Sequence, residues 1–231
     1  MSTAAVVLAA GRGVRLAAGT PKAFVPLAGA PLLLHALRAL AAAPSIDLLV
    51  PVIPTGERAR YDALAEDLAE VEGLTEAVEG GAERQDSVRA GVAALGPGVE
   101  WVAVHDAARA LVRPEAVERV VAAARRHGAA ILAAPARDTV KRVRDGRIVE
   151  TPPRAECWVA QTPQVFRTEV LREALAKAHA DGTVATDDAQ LVERLGVPVH
   201  VVEGDPDNLK ITGPDDLAAA DAWLRARGGE A

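Results

Sequence analysis

The sequence contains almost no cysteine, since Cys157 is the only one among 231 residues. A single thiol excludes an internal disulfide framework and is typical of proteins from a reducing compartment. No basic-then-apolar leader opens the chain, and no apolar run approaches the length that spans a bilayer. We therefore expect a cytoplasmic protein without a membrane partner.

Aromatic residues are also scarce, at 3% of the chain, and the formal net charge is −6. Nucleic-acid-binding proteins need a broad basic surface, and many stack bases on aromatic rings. We therefore expect no nucleic-acid partner. Half of the residues are apolar, so a large core is possible, built mainly from Ala, Val, Leu and Ile. The length suits one large α/β domain, or a domain with a small appendage; without a clear linker, residues 1–231 are interpreted as one domain.

Several common motifs are absent. The dinucleotide fingerprint G-x-G-x-x-G would need glycine where Leu16 follows Gly11 and Gly13, and a Walker A loop would need lysine after Gly19, where Thr20 stands. The chain also has no G-x-S-x-G, no H-E-x-x-H and no Cys–His nucleophile pattern. These absences argue against dinucleotide-dependent oxidoreductases, P-loop enzymes and the common hydrolases.

What the sequence does contain is a regular alternation of two patterns. Short aliphatic or β-branched runs predict strands at residues 4–8, 46–53, 101–105, 129–133 and 199–202. Amphipathic segments between several of them predict helices at residues 32–42, 58–68, 85–94 and 115–127. Wholly apolar strands that alternate with helices indicate a doubly wound α/β fold, in which helices cover both faces of a mostly parallel sheet.

One segment, residues 135–164, shows no helical period. Asp145-Gly146 lies between "DTVKRV" and "RIVET", which is a hairpin signal and predicts a β-ribbon that leaves the sheet and returns at "CWVAQ". An isolated hairpin is marginal in water, so this one should pack against a neighbour. A second copy of the chain, in a homodimer, is the candidate.

The first predicted strand runs into a glycine-rich loop, "LAAGRGVRLAAGTPKAF". Open α/β sheets bind ligands at the carboxyl ends of their strands, and successive N–H groups in such a loop can hold an anion. Arg15 and Lys22 add positive charges that would stabilise a reacting polyphosphate. Alternatively, Gly11 and Gly13 only shape a turn, while the two cations point into water.

Asp106 ends another predicted strand at the same edge of the sheet. A carboxylate there can hold Mg²⁺ together with substrate phosphate oxygens, or it can cap the following turn. Arg109 faces either an anionic substrate or solvent. His105 is interpreted as a packing or hydrogen-bonding residue, because no other His or Cys stands at ligand spacing.

Three further stretches carry polar residues near predicted strand ends. "GGAERQDSV" places Gly80-Gly81 before Arg84, Asp86 and Ser87, which suits either base or ribose recognition or an ordinary helix start. "ATDDA" places Thr186 at a predicted N-cap, and the helix dipole alone explains Asp187 and Asp188. "DNLKIT" puts Asp207 and Lys210 after the last predicted strand, again at the ligand edge.

Together these stretches resemble the cytidylyltransferases, and most closely the 2-C-methyl-D-erythritol 4-phosphate cytidylyltransferase family of the non-mevalonate isoprenoid pathway. The resemblance runs nearly end to end and rests on seven stretches in order: "LAAGRGVRL…TPKAF", "GGAERQDSV", "VHDAAR", "PARDTVKRV", "WVAQTPQVF", "ATDDA" and "DNLKIT". It implies a Rossmann-like nucleotidyltransferase fold. It also implies transfer of the cytidylyl group of CTP to 2-C-methyl-D-erythritol 4-phosphate, with release of pyrophosphate and with Mg²⁺ bridging the nucleotide.

The resemblance also implies catalytic and metal-binding roles. Arg15 and Lys22 would stabilise the pentavalent transition state. Lys210 and Arg154 would position the attacking phosphate. Asp106 would bind the metal, and Asp207 is taken as a second metal ligand from the wider nucleotidyltransferase fold.

The same resemblance implies two sets of binding residues. The nucleotide would lie over Leu8, Ala9, Ala10, Gly11, Gly13, Gly81, Ala82, Ser87 and Ala107. The acceptor would lie near Arg109, Thr139, Thr162 and Thr186. The ribbon would be a dimer arm that carries Thr139 and Arg154 into the partner's site.

This sequence departs from the family pattern at two positions. Ala82 stands where relatives often have Asp, so a side-chain contact from there to the nucleotide is absent. Ala110 follows "HDAAR" where Pro is usual, which removes no charge. Neither position is a proposed catalytic group.

Three alternatives to this interpretation differ in what they predict. A ribitol-5-phosphate cytidylyltransferase would share the first loop and Asp106 but use another acceptor. A non-catalytic nucleotide-sensing module would bind CTP without releasing pyrophosphate. A dinucleotide-dependent oxidoreductase would bind NAD(P)H, which the missing third glycine opposes.

Overall fold

The computed structural model describes residues 1–11 and 20–228. Its strands are β1 (Ser2–Leu8), β2 (Pro26–Leu27), β3 (Ala30–Pro31), β4 (Leu48–Ile53), β5 (Val78–Glu79), β6 (Val99–Asp106), β7 (Ala129–Pro135), β8 (Arg142–Arg144), β9 (Arg147–Glu150), β10 (Trp158–Arg167) and β11 (His200–Glu203). Its α-helices are α1 (Leu32–Ala41), α2 (Arg58–Asp62), α3 (Ala65–Leu68), α4 (Arg84–Ala93), α5 (Pro114–His127), α6 (Thr168–Ala180), α7 (Asp188–Glu193) and α8 (Pro214–Gly228).

The central sheet has the strand order β11-β7-β10-β6-β1-β4-β5. Parallel pairing joins β1 to both β4 and β6, β4 to β5, and β7 to β11. Strand β10 runs antiparallel between β6 and β7. The predicted mostly parallel sheet is therefore confirmed.

Both faces of the sheet are buried at its central strands. Along β1, Ala5 and Val7 pack in a core cluster with α1 and α5, whereas Val6 and Leu8 pack in a second cluster with α4 and α6. Successive side chains of a strand point to opposite faces, so a strand covered on both sides must be apolar at every position. This explains the unbroken apolar runs and confirms the predicted covering of both faces by helices.

The structure differs from the predicted elements in several places, and α6 and β5 are among the elements that were not predicted. The helix predicted at residues 58–68 is divided into α2 and α3, because the backbone at Leu64 has φ −94° and ψ 12°. The strand β10 lies in the central sheet, so the ribbon contains fewer residues than the predicted range 135–164. The chain returns to the sheet at Trp158, as "CWVAQ" predicted, and the pairing of β10 with β7 shifts register between Ala160 and Gln164.

Strands β8 and β9 form the predicted hairpin, as a separate two-stranded sheet. Asp145 and Gly146 have φ values of 49° and 74°, as a two-residue turn with positive φ at both positions requires. Every residue from 141 to 150 is exposed. The hairpin therefore projects from the domain.

The carboxyl-terminal helix α8 closes the domain beside the β2–β3 hairpin. Ile211 and Ala220 are buried in a small third cluster with Leu27, Leu32 and Leu111. Asp216 accepts hydrogen bonds from the backbone and hydroxyl of Thr212 and lies in the first turn of α8. Among the described residues, no helix has the length and apolar character needed to cross a membrane.

Candidate active site

The carboxyl ends of three parallel strands meet at one edge of the sheet. Leu8, at the end of β1, is in register with Asp106 of β6 on one side and with Val52 of β4 on the other. The chain leaves β1 toward β4 and later returns to its other side as β6. This is a topological switch point, the place where open α/β sheets bind ligands.

A cavity of about 240 Å³ opens at this edge. It is lined by Leu8, Ala9, Ala10, Gly11, Lys22, Ala23, Gly81, Ala82, Glu83, Arg84, Ser87, Asp106, Ala107, Ala108 and Lys210. The structure thus brings together most of the residues predicted to bind the nucleotide, with Lys22, Asp106 and Lys210. Gly13 and Arg15 lie outside the described residues.

Two glycines allow the cavity wall to form. A Cβ on Gly80 would overlap the side chains of Ala10 and Ser87, and a Cβ on Gly81 would overlap Asp86. The backbone N–H of Gly81 donates a hydrogen bond to Oγ of Ser87 at 3.2 Å. The start of α4 is therefore packed directly against the loop that follows β1.

Asp106 is the centre of charge in this site. Its Oδ2 lies 2.7 Å from Nζ of Lys210, and its Oδ1 accepts a hydrogen bond from Nε of Arg84 at 3.3 Å. Burial by itself would raise the pKa of Asp106, but the charges of Arg84 and Lys210 outweigh it and hold this pKa well below the usual range. The carboxylate is therefore ionised at neutral pH.

The sequence interpretation missed Arg84 and Asp188 as functional residues. Nη2 of Arg84 donates a hydrogen bond to Oδ2 of Asp188 at 2.8 Å, and the Asp188 side chain is 1% exposed. Asp188 is thus paired inside the protein and is not explained by the helix dipole alone. The N-cap of α7 is Asp187, which accepts a hydrogen bond from the backbone of Gln190, so the N-cap predicted at Thr186 was wrong by one residue.

A second cavity of about 190 Å³ lies beside the first and shares Arg84, Asp106 and Lys210 with it. Its remaining lining residues are Arg109, Ala160, Gln161, Thr162, Gln164, Thr186 and Asp187. Three residues predicted to bind the acceptor, Arg109, Thr162 and Thr186, therefore line the cavity next to Lys210.

Two of these residues also hold the site together. Oγ1 of Thr162 accepts a hydrogen bond from the backbone N–H of Asp106 at 3.0 Å and lies 3.1 Å from Nδ1 of His105. The guanidinium of Arg109 donates to the carbonyl oxygens of Asn208 at 2.7 Å and Ala160 at 3.0 Å. Arg109 therefore does more than face solvent or a ligand. Its hydrogen bond to Asn208 holds the loop that carries Lys210 in place.

His105 has the packing and hydrogen-bonding surroundings that the sequence interpretation gave it. The side chain is fully buried, and Nε2 lies 3.3 Å from the carbonyl oxygen of Arg109. Burial lowers the pKa of His105 to about 4, so the ring is neutral at physiological pH.

Three predicted site residues line neither cavity. Asp207 accepts a hydrogen bond from Arg113 at 2.8 Å, beside the start of α5. Thr139 and Arg154 are exposed in the segments that lead to and from the hairpin, and Arg154 donates to the carbonyl oxygen of Arg137 at 3.2 Å. Within one copy of the chain, these residues therefore stand outside the linings of the two cavities at Asp106.

The donor set at Asp106 fits a magnesium ion that is held jointly with a substrate. Within residues 1–11 and 20–228, no group of three or more His, Cys, Asp or Glu side chains could hold a metal by itself. Mg²⁺ is commonly bound through one or two carboxylates plus phosphate oxygens. A carboxylate offers about four lone-pair positions, and Asp106 uses two of them for Arg84 and Lys210.

Comparison with known proteins identifies the family of the chain. The family model of IspD, 2-C-methyl-D-erythritol 4-phosphate cytidylyltransferase, matches residues 3–226. The chain belongs to this family. It is therefore an enzyme, a cytidylyltransferase of the non-mevalonate isoprenoid pathway.

Individual relatives cover nearly the whole chain. A 2-C-methyl-D-erythritol 4-phosphate cytidylyltransferase from Pelotomaculum thermopropionicum is 44% identical over 227 residues, covering 98% of this chain and 95% of that protein. The crystal structure of the Thermus thermophilus cytidylyltransferase matches with a TM-score of 0.79 at 36% identity, covering 97% of this chain and 100% of that one. A 4-diphosphocytidyl-2C-methyl-D-erythritol synthase from Anaerococcus prevotii matches with a TM-score of 0.86 at 29% identity, covering 97% and 96%.

Proposed function

We propose that the first cavity binds CTP and the second binds 2-C-methyl-D-erythritol 4-phosphate, so that the reaction takes place at their shared wall. The observation that carries this proposal is that Arg84, Asp106 and Lys210 line both cavities. A nucleotidyltransferase must bring an acceptor phosphate next to the α-phosphorus of a nucleotide, and two cavities that meet at a cluster of charges provide such a meeting point.

The nucleotide side of the site suits a triphosphate. The small residues Ala9, Ala10 and Gly11 let the ligand approach the backbone at the end of β1. Lys22 lies in the same wall and is anchored by the buried neighbours Ala23 and Phe24. With Arg15, it would stabilise the charge that grows on the α-phosphate and on the leaving group.

The acceptor side of the site would supply the nucleophile. An oxygen of the acceptor phosphate bonds to the α-phosphorus while the bond to the bridging oxygen breaks, so that pyrophosphate leaves with that electron pair. Lys210 would hold the acceptor phosphate, and Arg109 would keep the loop of Lys210 in place. Thr186 would contribute a hydroxyl at the rim of this cavity.

A magnesium ion is part of this proposal. Asp106 would hold it together with phosphate oxygens of CTP, and when bound it would neutralise part of the triphosphate charge. Lys210 and Arg84 keep the Asp106 carboxylate ionised and oriented. Asp207 is held by Arg113 beside α5, and its role as a second metal ligand stays a prediction.

We further propose that the enzyme is a homodimer formed through the hairpin and that it works in the cytoplasm. Val143, Ile148 and Val149 are 55%, 61% and 47% exposed on β8 and β9, an unusual place for aliphatic side chains. A second copy would cover them. It would also receive Thr139 and Arg154, which line neither of the two cavities described above. The compartment is supported by the lone thiol of Cys157.

The experiment that tests the activity is an assay of pyrophosphate release from CTP with Mg²⁺ and methylerythritol 4-phosphate. Parallel reactions contain ribitol 5-phosphate or no acceptor. We expect release with methylerythritol 4-phosphate alone. Release with ribitol 5-phosphate alone would move the enzyme to the sister branch, and CTP binding without any release would make the protein a nucleotide sensor.

A further inference from the structure

Arg84 is shared between two carboxylates at the junction of the two cavities. Its Nη2 donates to Asp188 at 2.8 Å, while its Nε donates to Asp106 at 3.3 Å. The Arg84 side chain is 30% exposed, whereas that of Asp188 is 1% exposed. One end of this ion pair therefore faces the cavities and the other end lies inside the protein.

Asp188 is held rigidly by groups other than Arg84. Its backbone N–H and that of Ala189 both donate to Oε1 of Gln164, at 3.1 and 3.0 Å. The neighbouring residue of α4, Gln85, donates from its amide to the carbonyl oxygen of Thr183 at 3.2 Å. The start of α7 and the segment before it are thus docked on the start of α4, so the Asp188 carboxylate has a fixed place.

This arrangement limits how Arg84 can meet Asp106. A guanidinium presents its N–H groups as a planar fork that readily pairs with one carboxylate through two parallel hydrogen bonds. Because Asp188 takes Nη2, Arg84 meets Asp106 through Nε. Asp106 thereby keeps acceptor positions for other partners, and the guanidinium stays in the wall of both cavities.

We propose that Asp188 is a positioning residue that acts through Arg84 and holds its guanidinium at the meeting point of nucleotide and acceptor. This inference rests on the proposed function, since it assumes that CTP and the acceptor phosphate meet at Asp106. Asp188 touches neither ligand in this proposal. Asp188 affects turnover only because it sets the position of the Arg84 guanidinium.

The test is a double-mutant cycle with Asp188→Asn, Arg84→Met and both changes together. We measure kcat and KM for CTP and for the acceptor, and CTP binding by calorimetry without acceptor. Asp188→Asn should lower kcat/KM about tenfold, as for loss of an outer partner that orients a functional side chain. In the Arg84→Met background the same change should have no further effect, because the two residues act as one unit.

The test includes a control variant and a second comparison that applies if Asp188→Asn does not fold. Asp47→Asn also removes one carboxylate, which accepts a backbone hydrogen bond from Thr3 far from the site, and should leave kinetics and CTP binding unchanged. If Asp188→Asn alone does not fold, the comparison of Arg84→Met with the double variant still decides. Arg84→Met leaves the buried Asp188 carboxylate without its guanidinium partner, whereas the double variant contains neither charge.

A further loss on adding Asp188→Asn to Arg84→Met would overturn the inference, and so would wild-type kinetics in Asp188→Asn. Either result with an active wild-type enzyme leaves the proposed function intact. A wild-type protein that neither binds CTP nor releases pyrophosphate would overturn both.

Discussion

At the scale of single residues, the charge state of Asp106 depends on its neighbours more than on its burial. An unpaired carboxylate at this depth would tend to protonate, but Arg84 and Lys210 reverse that tendency. The same two cations line the space where we place the substrate phosphates. Small changes in their positions should therefore affect catalysis more than folding.

Replacing Lys22 with alanine tests its role in the transition state. The change should lower kcat by about 10²–10³-fold, the usual loss when one donor to developing charge is removed, with a smaller effect on CTP binding. Steady-state kinetics and calorimetry separate the two effects. Lys177→Ala, on the exposed side of α6, is the control and should behave as wild type. Near-wild-type turnover of Lys22→Ala would contradict the assigned role.

Tyr61 makes a second prediction, about pH and stability. Burial raises the pKa of Tyr61 to about 12. Its folded pKa is raised above the unfolded value of about 10, so its contribution to stability is complete below pH 10 and is lost as the pH rises toward 12. Because Tyr61 is the only tyrosine, absorbance at the tyrosinate wavelength reports this residue alone.

We expect the native protein to form tyrosinate near pH 12 or together with unfolding, and the guanidinium-unfolded chain to form it near pH 10. Circular dichroism recorded in the same titration distinguishes local ionisation from unfolding. Tyr61→Phe should remove the absorbance change. Between pH 10 and 12, this variant should lose less of its unfolding free energy than the wild-type protein does. Tyrosinate formed near pH 10 in a fully folded chain would contradict the prediction.

At the scale of elements, the nucleotide cavity depends on how closely two turns approach one another. The N–H of Gly80 donates to the carbonyl oxygen of Ile53 at 2.8 Å, which extends the pairing of β4 and β5 by one bond. The loop after β1 then packs over Gly80, leaving no room for a Cβ beside Ala10 and Ser87. Here the backbone itself shapes the binding surface.

Gly80→Ala should therefore lower the unfolding free energy and weaken CTP binding, whereas Gly96→Ala should change neither. The first change forces Ala10 or the start of α4 to move, with an expected loss of about 1–3 kcal/mol of unfolding free energy, typical of overpacking, and weaker CTP binding. A Cβ on Gly96 meets nothing within 4 Å, so that variant is the matched control. Chemical denaturation and CTP calorimetry measure the two effects. Equal stability and equal CTP binding in both variants would contradict this account.

At the scale of the whole molecule, the hairpin β8–β9 is the part that the domain itself does not explain. Its aliphatic side chains are exposed, and the predicted site residues next to it, Thr139 and Arg154, line neither of the two cavities among the described residues. Two copies that exchange their hairpins would each complete the other's acceptor site.

Mixing two inactive variants tests this exchange. Lys22→Ala should inactivate the site of the chain that carries it. Arg154→Ala should inactivate the site of the partner chain, into which the hairpin segment would carry Arg154. Random exchange in a homodimer would make half of the dimers mixed, each with one intact site, so about a quarter of wild-type activity should return. Mixing each variant with itself is the control. No recovery, with mixed dimers shown by mass spectrometry, would place Arg154 in its own chain's site.

A charged side chain on the hairpin should disrupt the proposed dimer interface. Ile148→Glu places a carboxylate among the exposed aliphatic side chains of the hairpin and should shift the dimer to monomer, because an unpaired charge cannot be buried at an interface. Light scattering after size exclusion gives the mass. Ala176→Glu, on the exposed side of α6, is the control and should leave the mass unchanged. A protein that is monomeric before any change would overturn the homodimer.

Much of the fold was open to prediction from the sequence. The strands of the parallel sheet follow from unbroken apolar runs, the hairpin from Asp145-Gly146, and the ligand edge from the residues that follow strand ends. The return of the chain to the sheet at "CWVAQ" was predicted, but the antiparallel place of β10 between β6 and β7 was not, because packing decides which strands pair. The break in the helix at Leu64 likewise has no signal in the periodicity.

The sequence alone determined the fold class, the family and the cations and carboxylate at the strand ends, because periodicity and contiguous motifs are local properties of the chain. The tertiary structure alone decided that Arg84 pairs with Asp188, which lies 104 positions away. It also decided that Thr162 and Arg109 brace the strand end and the loop of Lys210. These contacts arise where separate elements pack together, and a side chain's partner across such packing is set by geometry that no local pattern encodes.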